Sequence, residues 1–342
     1  MYFLENACKV QVDTLAARCG VRFRHFRRVL VSLLAVTCLT LTHAEEAWPS
    51  RPITLVVPGQ PGSGNDVTGR ALAKELGARL GVPIIVENRS GGRGAVAMQF
   101  VARAKPDGYT LVVVIASTAV ILPAITQKMV FSLKDFVPVS MYTGLPTVVV
   151  VSSASKFGSM QDLIAQSRKA PGTINYGNGS TLSQMAMEML NLQAGTGLVA
   201  IPYRGPAEAM TDLYGGRIDV DVEAVSAAYS GIKSGQARPL AILGAKRSSA
   251  LPEVPTMAEL GFKDFDFNGW GGIMAPAATP RDIVERLQKA IAEALQSPAL
   301  QQQFANLMVD ALPSSSQEFA ARIRDETAKY ERIARGANIP KE

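Results

Sequence analysis

Short apolar blocks, separated by glycine-rich turns and by stretches of three-to-four periodicity, dominate the chain after residue 50. Between Ile53 and Ala116 the compact blocks are Ile53–Val57, Pro83–Val86 and Tyr109–Ala116, with helical patterns between them. Blocks of this length bounded by turn residues read as buried strands, and their alternation with helices predicts βαβ units in a parallel sheet. The first helix sets Leu72, Ala73, Leu76 and Leu80 on one face. It opens at Asn65 or Asp66, whose short polar side chains suit a helix N-terminus, and stops at Gly81, which enters the left-handed region without a Cβ penalty.

A second set begins near Thr147. Val148–Val151 reads as a buried strand, and Ser159 three residues before Asp162 predicts a capped helix ending at Pro171-Gly172. Strands follow at Thr173–Tyr176, Leu198–Ile201, Arg217–Val222 and Arg238–Leu243, with helices around Leu182–Leu192 and Pro206–Tyr214. The chain returns through Trp270–Met274. Thr279-Pro280 then opens an amphipathic helix with Ile283, Leu287, Ile291 and Leu295 on one face, and Ser315 with Glu318 caps a last helix. Two sets of βα units joined by crossing segments predict a two-lobed α/β fold, each lobe a mostly parallel sheet flanked by helices. Residues 45–147 with 270–342 make the first lobe and 148–269 the second, and a ligand belongs in the cleft between them.

The N-terminus changes the chemistry available. Arg22, Arg24, Arg27 and Arg28 precede an apolar run from Val29 to Leu41, closed by Ala44. That run is too short to cross a bilayer of about 30 Å as a helix, and it fits a secretory signal, so residues 1–44 are expected to be removed. Cys8, Cys19, Cys38, His25 and His43 leave with it, and the remaining chain has neither cysteine nor histidine. Disulfides, thiol nucleophiles, Ser-His-Asp triads and nearly all zinc or transition-metal sites are thereby excluded. Carboxylate-plus-lysine chemistry, oxygen-ligand metals and simple binding remain. The signal also takes six of 35 Lys/Arg and two of 29 Asp/Glu, leaving 29 against 27, so the basic balance belongs largely to the leader. With no later basic cluster interleaved with aromatics, nucleic acid drops out as a partner.

Three turns between strand and helix are candidate ligand contacts. Pro58–Asp66 looks like an anion cradle, because glycines let backbone N–H groups approach a ligand while a helix N-terminus supplies unpaired donors and partial positive charge. A tight connecting turn is the plainer alternative. Its glycine spacing fits neither the dinucleotide nor the Walker pattern. Gly177-Asn178-Gly179-Ser180, followed by Thr181, would face it from the other lobe, whereas Gly91–Gly94 reads as a turn needing positive φ. Ser117-Thr118 ends a strand, at the sheet edge where open α/β folds bind ligands. Asp219, Asp221 and Glu223 alternate along one strand and so share a face. They suggest an oxygen-ligand metal site, ordinary strand polarity, or an acid holding a ligand amine or water. Gly-x-Ser-x-Gly is absent, and the two Ser-x-x-Lys pairs, Ser153/Lys156 and Ser230/Lys233, lack the companion motifs of a serine hydrolase.

Several blocks stand in a fixed order: Trp48-Pro49 with Arg51-Pro52-Ile53, the glycine loop ending in Asp66, Val86-Glu87-Asn88-Arg89, Pro106-Asp107-Gly108-Tyr109-Thr110-Leu111 and Pro202-Tyr203-Arg204-Gly205. Leu251–Thr256 with Glu259 and Gly261, and Ala275-Pro276 with Thr279-Pro280, extend the set over the mature chain. Together they resemble the Bug receptors, the substrate-binding proteins of tripartite tricarboxylate transporters. The resemblance implies a type II-like periplasmic-binding-protein fold closing on a small carboxylated ligand through backbone N–H groups and water; with the secretory signal the expected location is the periplasm, and a monomer is expected because a clam-shell needs free lobes. The resemblance implies no cofactor, no metal and no catalytic residue. Its site residues correspond to Gly62, Ser63, Gly64, Asn65, Asp66, Ser117 and Thr118 in the first lobe and Asn178, Ser180, Tyr203, Gly205 and Glu223 in the second. The implied partner is a membrane permease. A sensor kinase is the alternative, and a lyase or hydrolase built on lysine and carboxylates a further one. Four departures bear on the ligand: Gly59 stands where the family carries an aromatic residue, Ser63 replaces a glycine, Leu122 stands where Asn is frequent, and Gln184 lies near a common His.

Overall fold

A computed structural model of the chain describes residues 48–341, so the signal sequence and its cleavage site lie outside the described residues. Two sheets carry the fold. The first contains β1 (Ile53–Val57), β2 (Ile84–Asn88), β3 (Thr110–Ile115), β4 (Phe136–Leu145), β10 (Gly269–Pro276) and the two-residue β11 (Asp310–Ala311), in the order β11-β4-β10-β3-β1-β2. The second contains β5 (Thr147–Ser152), β6 (Asn175–Asn178), β7 (Val199–Pro202), β8 (Val220–Ala224) and β9 (Ala237–Ile242), in the order β7-β6-β8-β5-β9.

Parallel pairing is confined to the βαβ units, β2-β1-β3 in one sheet and β7-β6-β8 in the other. The remaining pairs, β3-β10, β10-β4, β4-β11, β8-β5 and β5-β9, are antiparallel, so both sheets are mixed rather than mostly parallel. The cause is the path of the chain. β4 ends at Leu145, a single proline follows, and β5 starts the second sheet at Thr147; the return strand β10 then lies antiparallel between β4 and β3. The two crossings are tied together: the Thr147 N–H donates to Asn268 Oδ1 at 3.1 Å and its hydroxyl donates to the Phe267 carbonyl at 3.0 Å.

Helices cover the sheets as their apolar stripes require. α1 (Gly64–Leu80) buries Leu72, Leu76 and Leu80 and ends at Gly81, whose φ of 75° supplies the left-handed cap. It is followed by α2 (Ala95–Ala102), the short α3 (Leu122–Ile125), α4 (Met160–Lys169), α5 (Thr181–Ala194), α6 (Pro206–Tyr214) and α7 (Val225–Lys233). α8 (Arg281–Leu295) buries Ile283, Leu287, Ile291 and Leu295, and α9 (Pro298–Asn306) leads to α10 (Ser316–Gly336). Ser159 accepts from the Asp162 N–H at 3.1 Å, and Ser315 and Glu318 form a reciprocal capping box. α10 rests on the first sheet, where Phe319 meets the Trp270 ring edge-on at 5.2 Å and Glu326 accepts the buried indole N–H at 2.8 Å; further along, Tyr330 packs on Phe267 at 5.9 Å. Among the described residues no helix is long and apolar enough to cross a membrane.

Candidate ligand cleft

Most of the turns that face the space between the sheets follow the C-terminal end of a strand, because in both βαβ units the helix starts there and its first N–H groups point back over the sheet edge; Ile339 and Pro340, after the last helix, also line it. In the first sheet these are the β1–α1 loop, the Gly91–Gly94 turn and a π-helical turn over Ser117–Ile121 after β3. In the second they are the starts of α5, α6 and α7 after β6, β7 and β8.

Two adjoining cavities occupy this space. The larger, about 650 Å³, is lined by Gly91, Arg93, Gly94, Leu122 and Ile125 on one side and by Asn178, Gln184, Tyr203 and Arg204 on the other. The smaller, about 400 Å³, is lined by Asn65, Trp270, Leu182, Ser183, Val222 and Glu223 among others. Ile115, Ser117, Ser180 and Thr181 line both, so the cavities are two halves of one cleft.

Its chemistry changes along its length. The larger half carries two guanidinium groups, Arg93 and Arg204, and the smaller is mostly apolar with one ionisable side chain, Glu223. Two helix N-termini reach the smaller half, α1 through Asn65 and α5 through Ser180–Ser183. Ser180 and Ser183 form a reciprocal capping box at the start of α5, Ser180 Oγ accepting from the Ser183 N–H at 3.1 Å and Ser183 Oγ from the Ser180 N–H at 3.3 Å, while the Thr181 and Leu182 N–H groups lie too early in the helix to have an intrahelical carbonyl acceptor. α1 starts at Ser63 without a side-chain cap, and the first backbone bond back to its cap is from Val67. Unpaired N–H groups and the positive ends of two helices form an anion-binding environment.

Of the sequence-identified residues, Asn178, Ser180 and Tyr203 line the larger half, Asn65, Ser180 and Glu223 the smaller, and Ser117 both. Gly62, Ser63, Gly64, Asp66, Thr118 and Gly205 line neither. Asp66 works within its own loop. Its buried carboxylate accepts from the Gly62 N–H at 2.8 Å, Arg70 Nε at 2.9 Å and Asn88 Nδ2 at 2.9 Å, and Asn88 Nδ2 also reaches the Gly59 carbonyl at 3.1 Å. The Arg70 hydrogen bond is the main reason its pKa is held at about 2. Thr118 is fully buried and donates to the Arg93 carbonyl at 2.7 Å, holding the Gly91–Gly94 turn. Gly205 caps α6, where its backbone packs so close to Gly179 that a Cβ on Gly179 would stand 3.0 Å from it. Tyr203 lines the cleft, but its hydroxyl is already donated to Asp212 Oδ2 at 2.9 Å.

The sequence reading left Arg93 and Arg204 out. Arg93 sits in a turn whose glycines have φ of 123°, 56° and 95° and itself adopts φ of 54°, so the conformational demand that signals a turn also hides a lining residue. The acidic triplet divides: the Asp219 carboxylate accepts from the Asn175 N–H at 2.9 Å, while Asp221 and Glu223 are buried side by side on β8. Among the described residues no cluster of three metal-ligating side chains occurs.

Residues 68–339 match the model of the family described as tripartite tricarboxylate transporter family receptor. The chain is 35% identical to Protein BugT of Bordetella pertussis over 314 residues, covering 90% of this chain and 95% of that protein. Among solved structures it is similar to an R. palustris protein with adipate, at 29% identity and TM-score 0.72 over 86% of this chain and 99% of that one. It is also similar to the periplasmic binding protein BugD, at 28% identity and TM-score 0.69 over 86% and 100%.

Proposed function

Since the chain belongs to the receptor family of tripartite tricarboxylate transporters, we propose that it captures a small carboxylate between two lobes in the periplasm and delivers it, chemically unchanged, to a membrane permease. The lobes are residues 45–147 with 270–342 and residues 148–269. The convergence of the α1 and α5 N-termini on one cleft carries this reading, since it supplies anion donors from both lobes and lets closure complete the site. Arg93 and Arg204 draw anions toward the larger half, and Asn178, Ser117 and Ser180 offer neutral hydrogen-bonding groups. The adipate held by the R. palustris relative is a compound of this class.

A thermal-shift panel of mono-, di- and tricarboxylates against the protein from residue 45 onward tests the reading. A ligand at 100 times its Kd stabilises the fold by about 2.7 kcal/mol, a shift of a few degrees for a chain of this size. One or more carboxylates should produce such a shift and be recovered intact. Conversion of a bound carboxylate to product would turn the assignment toward an enzyme.

A further inference from the structure

The segments that carry the chain between the two sheets form a wall with a cavity on each face. In the first crossing Leu145 and Thr147 line the smaller half of the cleft, whereas Pro146 between them lines a separate groove of about 440 Å³, because successive residues of an extended segment point to opposite faces. Gly269 and Trp270 of the return crossing again line the cleft. Strand order separates the two spaces further. In the first sheet the cleft lies toward β3, β1 and β2, and the groove toward β11, with Asp310 and Gln301 on its wall. In the second the cleft lies toward β8, β6 and β7, and the groove toward β9, with Tyr229 and residues 248–250 on its wall. β4, β10 and β5, the strands that enter and leave the crossings, stand between cleft and groove.

The two crossings turn together, since Thr147 holds the return segment through Asn268 Oδ1 and the Phe267 carbonyl. Two bodies joined along such a wall move chiefly by rotation about it, and a rotation that narrows the space on one face widens the space on the other. The groove lining holds one carboxylate, Asp310, and no lysine or arginine. Ser249 is exposed on the opposite wall. A groove of this volume is on the order of a Debye length across, about 8 Å at physiological salt, so a charge placed at position 249 acts on Asp310 when the ionic strength is low.

We propose that the groove behind the crossings is the counter-gap of the cleft: it opens as the cleft closes, so that attraction or repulsion between its walls sets how much of the ligand-free protein is closed. This rests on the two-lobed receptor reading and adds to it the element that tunes closure. A site completed only by closure binds with an affinity proportional to the closed fraction of the free protein. Residues of the groove, which touch no ligand, therefore act on ligand affinity from the far side of the hinge. A cation at position 249 draws the groove shut on Asp310 and holds the cleft open; an anion there does the reverse.

Distances between paired spin labels in the ligand-free protein from residue 45 onward test this. That chain has no cysteine of its own, so introduced pairs are labelled alone. V96C with A207C spans the cleft mouth, beside Gly91 and Pro206, and A245C with Q302C spans the groove; all four positions are exposed. At pH 8 and about 20 mM salt, S249K should shorten the groove distance and lengthen the cleft distance relative to S249E, and about 0.5 M salt should remove the difference. The charge-reversed pair S249E/D310K restores attraction and should match S249K. For whichever of succinate, glutarate, adipate and citrate binds, S249E should tighten and S249K weaken the Kd by about threefold each. Two distances that shift in the same sense, a groove that responds while the cleft does not, or no response to either charge at low salt overturns the counter-gap and leaves the receptor reading in place. Loss of the receptor reading would show differently, as carboxylates that raise no melting temperature while the two distances still move in opposition.

Discussion

Replacing Asp66 with Asn tests whether this residue builds the loop rather than the ligand contact. The side chain keeps its size but loses its charge, and an amide nitrogen now faces donors. In the native loop the carboxylate, 4% exposed, accepts from Gly62, Arg70 and Asn88. Its pKa of about 2 against an ordinary 3.8 corresponds to about 2 kcal/mol at neutral pH. The Arg70 side chain is 50% exposed, so solvent screening leaves an expected loss of about 1–2 kcal/mol. The sign follows from a lowered folded-state pKa: the contribution is present above pH 3.8 and disappears as pH falls through about 2. Urea unfolding of both proteins at pH 7 and pH 3 reads the difference directly. D66N should be less stable by about 1–2 kcal/mol at pH 7, with the gap narrowing at pH 3. A gap below about 0.5 kcal/mol at pH 7, typical of an unimportant surface change, refutes the reasoning, as does one that stays constant on acidification.

Gly59 and Ser63 should behave as a coupled pair, because a Cβ on Gly59 would stand 2.6 Å from the Ser63 Oγ. Gly59→Ala alone should cost about 1–2 kcal/mol, and adding Ser63→Gly should recover most of it; additive thermal-melt losses in the double variant would contradict the steric account. Stability of the ligand-free protein should fall as pH rises from 4.5 toward 7, because a carboxyl whose pKa is raised stabilises the fold below its unfolded value and loses that contribution as pH climbs through the folded one. Glu223 accounts for about 3 kcal/mol of that change. In E223Q the slope should shrink, with Asp221 supplying what remains; an unchanged slope in chemical denaturation between pH 5 and 7.5 would place the titration elsewhere.

Most of the fold was legible because its strands are short apolar blocks closed by turns. β1 was read at its observed bounds, Ile53–Val57, and the other predicted strands differ from the observed ones by a few residues at their ends. β4 was not read. Pro138 and Gly144 interrupt its pattern, and its pairing with β10 is irregular around Val139, the bulge that accommodates a proline inside a sheet. The mixed sheets were hidden for a related reason, since strand direction depends on which crossing the chain takes, and that is settled by long-range pairing. Of the residues lining the cleft, Ser117 was legible at a strand end, Asn65, Asn178 and Ser180 in turns between strand and helix, and Glu223 in an alternation of acids, while Tyr203 came only from the family resemblance. The position of Asp66 was legible, but the direction of its carboxylate depends on Asn88 and Arg70, which its own turn does not reveal. The partnerless oxygen of Glu223 is likewise a property of packing, since the same alternation of acids on an exposed strand would be ordinary polarity.

Isothermal titration of the protein with the carboxylate that most raises its melting temperature, followed by mass spectrometry of the recovered ligand, addresses the central claim most directly. The account predicts saturable binding of one ligand per chain, weakened at least about tenfold by the S180A/N178A pair, with the ligand returned unaltered. Turnover of that compound, or a stoichiometry and affinity indifferent to both substitutions, would contradict a receptor that holds its ligand in this cleft.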